Sequence, residues 1–236
     1  MKNAIVLLLS LLLAGCSSVE LDEEQVSAIH RVAIVSTIGD ELSVVEIPLF
    51  PIVVEDDFGP FEQYGLDAFI LKSITTKLGS RYQVVPFKNP VHITKGDKTD
   101  WWWHDDNYTH IDLPPNGDTG NGKVDTYILI TPGTGEVYGT SHQVHGAFVA
   151  HHPNLGNENG VGATYHIIIV DAKTGNRIKD VQAIAGEESD ESLWPETEKF
   201  SSLSEAQKKA IEAKIETAMD RSLDYALKEM GLIPED

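Results

Sequence analysis

Apolar and polar positions along the chain fall into blocks of different period, and the blocks predict the elements. Positions 4–13 form an unbroken run of mostly apolar residues behind Lys2. Positions 19–27 are polar and acidic without any period, and read as a tether. Two runs rich in β-branched residues, over 30–36 and 42–47, read as strands. Gly39 and Asp40 between them mark a turn, so the two strands are expected to pair as an antiparallel hairpin, ended by Pro48 and Pro51. The period then changes. Leu66, Ile70, Ile74 and Leu78 recur every fourth residue, which places them on one face of a helix, and Gly79 stands where a left-handed cap would close it. Positions 82–87 return to strand character. The stretch 88–123 is polar and follows neither period, a long irregular insert.

Strand character resumes over 124–130. Positions 143–152 and 163–171 are expected to pair as a second hairpin across the glycine-rich stretch 153–162, and 176–185 to run as a further strand after the turn at 171–175. Positions 187–197 read as an acidic loop. Ser204 with Gln207 makes a capping box, after which Ile211, Ile215, Ala218, Met219, Leu223, Ala226 and Met230 trace one face of a helix that Gly231 stops. The predicted class is α+β: a mixed or mainly antiparallel sheet with helices packed on it, the insert at 88–123, and an amphipathic C-terminal helix. The 236 residues suffice for a single core. The expected organisation is a leader over 1–15, an acidic tether over 16–28 and a single domain over 29–232.

Lys2, the apolar run and the small residues behind it have the three-part layout of a secretory signal peptide. The run is too short for a bilayer-spanning helix, which needs about 20 residues. Leu13-Ala14-Gly15-Cys16 then matches the lipobox of bacterial lipoproteins residue for residue, and the leader is identified as a member of that class. The resemblance implies cleavage between Gly15 and Cys16, a diacylglycerol on the Cys16 thiol and acylation of the new amino terminus. Each buried methylene contributes about 0.8 kcal/mol, so two or three acyl chains hold firmly where one would not. Ser17 and Ser18 follow the cysteine, where the inner-membrane retention signal of these proteins would place Asp. The resemblance thus implies an outer-membrane protein, lipid-anchored and facing the periplasm.

The order of the later elements, with the strand beginning Val124-Asp-Thr-Tyr-Ile-Leu-Ile and the Val170-Asp-Ala-Lys-Thr-Gly175 turn, resembles the periplasmic α/β modules of several outer-membrane lipoproteins. Subunits of the curli secretion channel, lipoprotein activators of penicillin-binding proteins and the N-terminal domain of TolB have such modules. The resemblance spans about residues 30–230 on short motifs, and implies partner binding or assembly rather than catalysis. The insert at 88–123 departs from the compact pattern.

Nine histidines raise the question of a metal. Imidazole and carboxylate together can hold a transition ion, which makes His104, His110, His142, His145 and His151 candidate ligands. On one strand, though, His145 and His151 would share one face and His142 and His152 the other, so a single strand cannot gather all four. Histidines that pair with neighbours or meet solvent are the expected outcome, with no cofactor. Positions 116–125 look like a calcium loop but lack its ligand spacing and its terminal Glu, and a tight glycine turn accounts for them. Trp101, Trp102 and Trp103 cannot all face one core, so they are candidate partner-binding residues. No Gly-x-Ser-x-Gly, His-Glu-x-x-His or phosphate loop is present. Ser141 and His142, as strand neighbours, point to opposite faces.

Charge narrows the choice of partner. Against 37 acidic residues stand 18 basic ones, a formal charge of −19. Such a surface repels phosphate backbones, so nucleic acid is not expected as a partner, and a covalent lipid is the natural route to a membrane. Cys16 is the sole cysteine, which excludes an intramolecular disulfide. The expected function is a non-enzymatic binding or assembly component of the envelope, meeting the membrane through Cys16 and an envelope protein or a second copy of itself through the fold. The alternative is an envelope hydrolase or metal-binding protein using the insert and the histidines at 142–152.

Overall fold

The computed structural model describes residues 20–46, 57–88, 92–95, 109–136, 143–152, 158–189, 191–194 and 199–235; the leader, Cys16, Pro48 and Pro51 lie outside them. In chain order the described elements are α1 (Glu23–Ala28), β1 (Arg31–Ser36), β2 (Glu41–Glu46), β3 (Asp57–Pro60), α2 (Leu66–Leu78), β4 (Gln83–Val84), β5 (His92–Lys95), β6 (Thr109–Asp112), β7 (Thr126–Pro132), β8 (Thr134–Glu136), β9 (Gln143–His145), β10 (Ala147–His152), β11 (Glu158–Asp171), β12 (Arg177–Ser189) and α3 (Glu205–Glu229). They form an α+β fold on a mixed eight-stranded sheet, with α3 as its C-terminal helix.

Polarity alone misplaces the start of the fold. Asp22 and Gln25 form a reciprocal capping box that opens α1. Leu21 ahead of it is 3% exposed, and its N–H donates to the Met230 carbonyl at 3.3 Å. Two buried apolar residues, Leu21 and Ile29, bracket the acidic helix and fix it to the domain, so residues 21–28 are docked structure where the sequence suggested tether.

The expected hairpin of β1 with β2 does not form. β1 runs parallel to β7 on one side and to β4 on the other, while β2 runs parallel to β10 and antiparallel to β3. A 3-10 turn at Ile38–Asp40 steps the chain from one strand to the next without reversing it. The reason is burial: Ile38 is 1% exposed, and both strands are buried on both faces at their centres, which suits interior strands and not an exposed hairpin tip.

β11 organises the sheet. One edge pairs along nearly its whole length with β12; the other is shared, its first half pairing with β10 and its second with β7. The predicted hairpin of 143–152 with 163–171 is thus real but shifted, because β10 meets residues 158–163 and the remainder of β11 belongs to β7. β7 and β10 lie in line, and the chain between them departs as the small β8–β9 ribbon. Thr164 sits at this junction: its N–H donates to the Gly146 carbonyl, its hydroxyl to the Gly133 carbonyl at 2.5 Å, and its own carbonyl accepts from Gly133. Gly162 is required in β11 because a Cβ there would lie 2.1 Å from the Ala185 carbonyl. β12 reaches Ser189, so strand occupies ground that the acidic stretch 187–197 suggested was loop.

Helices α2 and α3 cover one face of the sheet over a core that includes Ile34, Val44, Ile70, Ile74, Ile130, Val149, Tyr165, Ile167, Ile215 and Met219. The opposite face carries two smaller clusters: Val35, Tyr127, Leu129 and Ile168 under Val85 and Val124, and Val45, Phe148 and Ala150 with Val144 of the ribbon. Helix α2 ends at Gly79 with right-handed φ −64°, not in the predicted left-handed cap; the left-handed glycine, Gly65 at φ 88°, precedes the helix instead. The Ser204–Gln207 capping box opens α3 as expected. Within the insert, β5 and β6 pair as a separate ribbon.

Asp67 holds the step between β1 and β2. From the first turn of α2 its carboxylate accepts from the Ser36 hydroxyl at 2.5 Å and from the Gly39 N–H at 3.2 Å. Burial raises its pKa above the ordinary 3.8, outweighing the lowering by Ser36 and Gly39, and Asp40 nearby adds to the rise. A carboxyl raised in the fold favours folding most below its unfolded pKa, and that advantage is lost as pH climbs through the folded value. Relative to Asp67→Asn, whose amide does not titrate, the parent should therefore lose stability from about pH 3 to about pH 7, read by urea unfolding of both. A parent that instead gains on the variant as pH rises would mean that the hydrogen bonds to the carboxylate outweigh its burial.

Candidate functional site

The antiparallel hairpin β11–β12 places His166 opposite Gln182 and diagonal to Asp180, all on the face away from the helices. His166 Nδ1 lies 2.7 Å from Asp180 Oδ1, and Arg177 Nη1 donates to Asp180 Oδ2 at 2.6 Å. The imidazole is 15% exposed and the carboxylate 24%. On the other side His166 faces Thr131 of β7. Gln182 reaches over to donate to the Thr134 carbonyl at the root of the ribbon. Among the described residues His166 Nε2 is buried without a hydrogen-bond partner.

The chemistry of this arrangement follows from its geometry. A carboxylate on Nδ1 selects the tautomer that carries its proton there and leaves the Nε2 lone pair free, the orientation used by imidazoles that take up a proton or bind a metal. Arg177 occupies the second carboxylate oxygen and holds Asp180 in place. Gly133 provides the space beside the ring: a Cβ there would lie 2.8 Å from His166 Cδ2 and 3.2 Å from Nε2.

The residues singled out by sequence are dispersed. Cys16, Trp101, Trp102, Trp103, His104 and His142 lie outside the described residues. His110 sits in β6 opposite Thr94. His145 belongs to β9, with Nδ1 3.2 Å from the Thr134 hydroxyl. His151 belongs to β10, where Nδ1 meets the Asn159 side-chain oxygen at 2.6 Å and the ring stacks on Trp194 with centroids 5.0 Å apart. Gly146, at φ 63°, separates these two histidines into different sheets, so the single strand assumed for 143–152 is two. Among the described residues no three of His, Cys, Asp and Glu gather as a metal set. In the calcium-like segment, Asp118 accepts from the Gly120 N–H and Asp125 from the N–H groups of His30 and Arg31, so these oxygens serve the chain's own turns.

His166 and Asp180 were missed because neither stands in a local motif. The available signal was a lone polar residue in the run Tyr165-His-Ile-Ile-Ile169, joined through the turn at 171–175 to an aspartate on the returning strand. A groove of about 590 Å³ between α2 and α3 is a weaker candidate. Lys77 in it is already paired, at 3.2 Å from Asp220 and 3.4 Å from Asp224, and the Ser73 hydroxyl donates to Asp220 at 2.5 Å.

If Gly133 packs on the His166 ring, Gly133→Ala should cost about 1–3 kcal/mol of stability through overpacking. Most of that loss should vanish when the same substitution is made in a His166→Ala background. Urea unfolding of the four proteins in the cycle gives the coupling directly, and an undiminished cost in the double variant would place the strain elsewhere.

No protein-family model matches the chain, and no curated protein matches it in sequence. Among solved structures, the lipoprotein GNA1162 from Neisseria meningitidis is similar at 16% identity and a TM-score of 0.31, over 70% of this chain and 89% of that one. Superposition at that level bears on neither fold nor function.

Proposed function

We propose that this protein is an exported lipoprotein, held at the outer membrane through acylated Cys16, and that its folded part binds or assembles with another envelope component rather than catalysing a reaction. One observation carries the reading: Leu13-Ala14-Gly15-Cys16 closes a leader with a basic start and an apolar middle. Two others agree with it. Among the described residues no helix is long and apolar enough to cross a membrane. A surface with formal charge −19 also gives an anionic bilayer little to hold, which suits attachment by acyl chains. Replacing Cys16 with Ser should release the protein from the envelope on fractionation while the parent stays with it. A serine variant that sediments with the membranes as fully as the parent would end this reading.

The buried Nε2 of His166, unpartnered among the described residues, favours a second reading, a site for a transition metal. Zinc titrated into the purified protein by calorimetry tests it. Binding that disappears in His166→Ala supports this reading; absence of binding, or binding that survives the substitution, removes it.

A further inference from the structure

The lipid anchor and the start of the fold lie close together in sequence, and this constrains how the domain meets the bilayer. From Cys16 to Leu21 there are five backbone steps, a reach of at most about 18 Å when fully extended. Leu21 is buried and bonded to Met230, so the tether ends where α3 ends. The same end of the molecule holds the end of α2, through the Arg81 guanidinium on the Gly231 carbonyl at 2.8 Å. The start of α3 is about 37 Å away along the helix axis.

Tyr225 lies close to the tethered end. It is 67% exposed, the more exposed of the two large apolar side chains that meet solvent among the described residues. It precedes Met230 by five residues, about 7.5 Å along the helix. An exposed tyrosine has an apolar ring and a polar tip, the combination that settles at the level of lipid headgroups.

We propose that the end of the domain where α3 finishes rests on the bilayer, with Tyr225 in the headgroup layer. This rests on the lipid-anchor reading above. Glu23, Glu24 and Glu229 stand at the same end with Arg81 and Lys228, an excess of negative charge, so the surface it fits is a zwitterionic lipid one. The opposite end, with Ser204 and Trp194, is then turned away from the membrane.

Once Cys16 is acylated the protein has no free thiol, so single cysteines can report position. Glu229→Cys, Ala213→Cys and Ser201→Cys, each carrying a fluorophore, would be reconstituted as lipidated protein in phosphatidylcholine vesicles containing nitroxide-headgroup lipid. Quenching is expected to be strong at 229, weaker at 213 and absent at 201, and adding Tyr225→Ser should reduce it at 229. Equal quenching at 201 and 229 overturns the orientation, and unchanged quenching on Tyr225→Ser overturns the role of that ring. Mass spectrometry of Cys16 and vesicle flotation are read first. A chain that is not acylated or does not float fails the anchor reading, and the orientation with it; a chain that floats with the wrong quenching order fails the orientation alone.

Discussion

The sheet depends on one strand having more length than its neighbours. β11 spans Glu158–Asp171, and neither β7 nor β10 could cover its edge alone. The two share it end to end, and the gap between them is the weak point, since backbone groups there would be buried without partners at a cost of about 1–3 kcal/mol each. Thr164 closes that gap with its N–H, its carbonyl and its hydroxyl, tying Gly133 and Gly146 to the strand. The same arrangement explains β1 and β2. They follow β7 and β10 as parallel partners, so the break in one line is matched by the step at Ile38–Asp40 in the next, with the Asp67 carboxylate bound to Ser36 and Gly39 across it.

What the sequence disclosed and what it concealed divide along a physical line. Helices α2 and α3 are bonded within themselves, so their apolar stripes, from Leu66 to Leu78 and from Ile211 to Met230, announce them locally. Strands announce only that they are buried. The residues 33–35 and 42–45 show the burial clearly, but their partners lie near 128 and 149, and no local pattern names a partner that remote. Gly39-Asp40 has the composition of a hairpin turn, yet burial of Ile38 decides the path. Leu21 is the same lesson at smaller scale: one buried leucine contributes about 1.5–3 kcal/mol and outweighs the acidic company it keeps. The candidate site was concealed for a related reason. His166 and Asp180 meet only across a hairpin register, whereas the conspicuous histidines at 145 and 151 are drawn apart by the positive φ of Gly146.

The two faces of the sheet carry different duties in this reading. Helices, the docked N-terminal segment and Tyr225 belong to one side, together with the end that the tether reaches. His166, Asp180 and Arg177 belong to the other. The chain on either side of the β5–β6 ribbon is on that second side as well: Phe87 before it and Leu113 after it pack on the cluster of Val35, Tyr127 and Leu129.

That division bears on how an acidic protein can work beside a membrane. Any contact made through its own charges would be screened over about 8–10 Å at physiological salt and repelled by anionic lipid. On the lipid-anchor proposal, a covalent anchor with a reach of about 18 Å would remove the need for such contact. It would hold the end where α3 finishes near the bilayer and leave the far end of the domain and the sheet face with His166 open to a periplasmic partner. On the same proposal the acidic surface would act as a filter on that partner: a formal charge of −19 favours the approach of neutral or basic protein surfaces and repels polyanions.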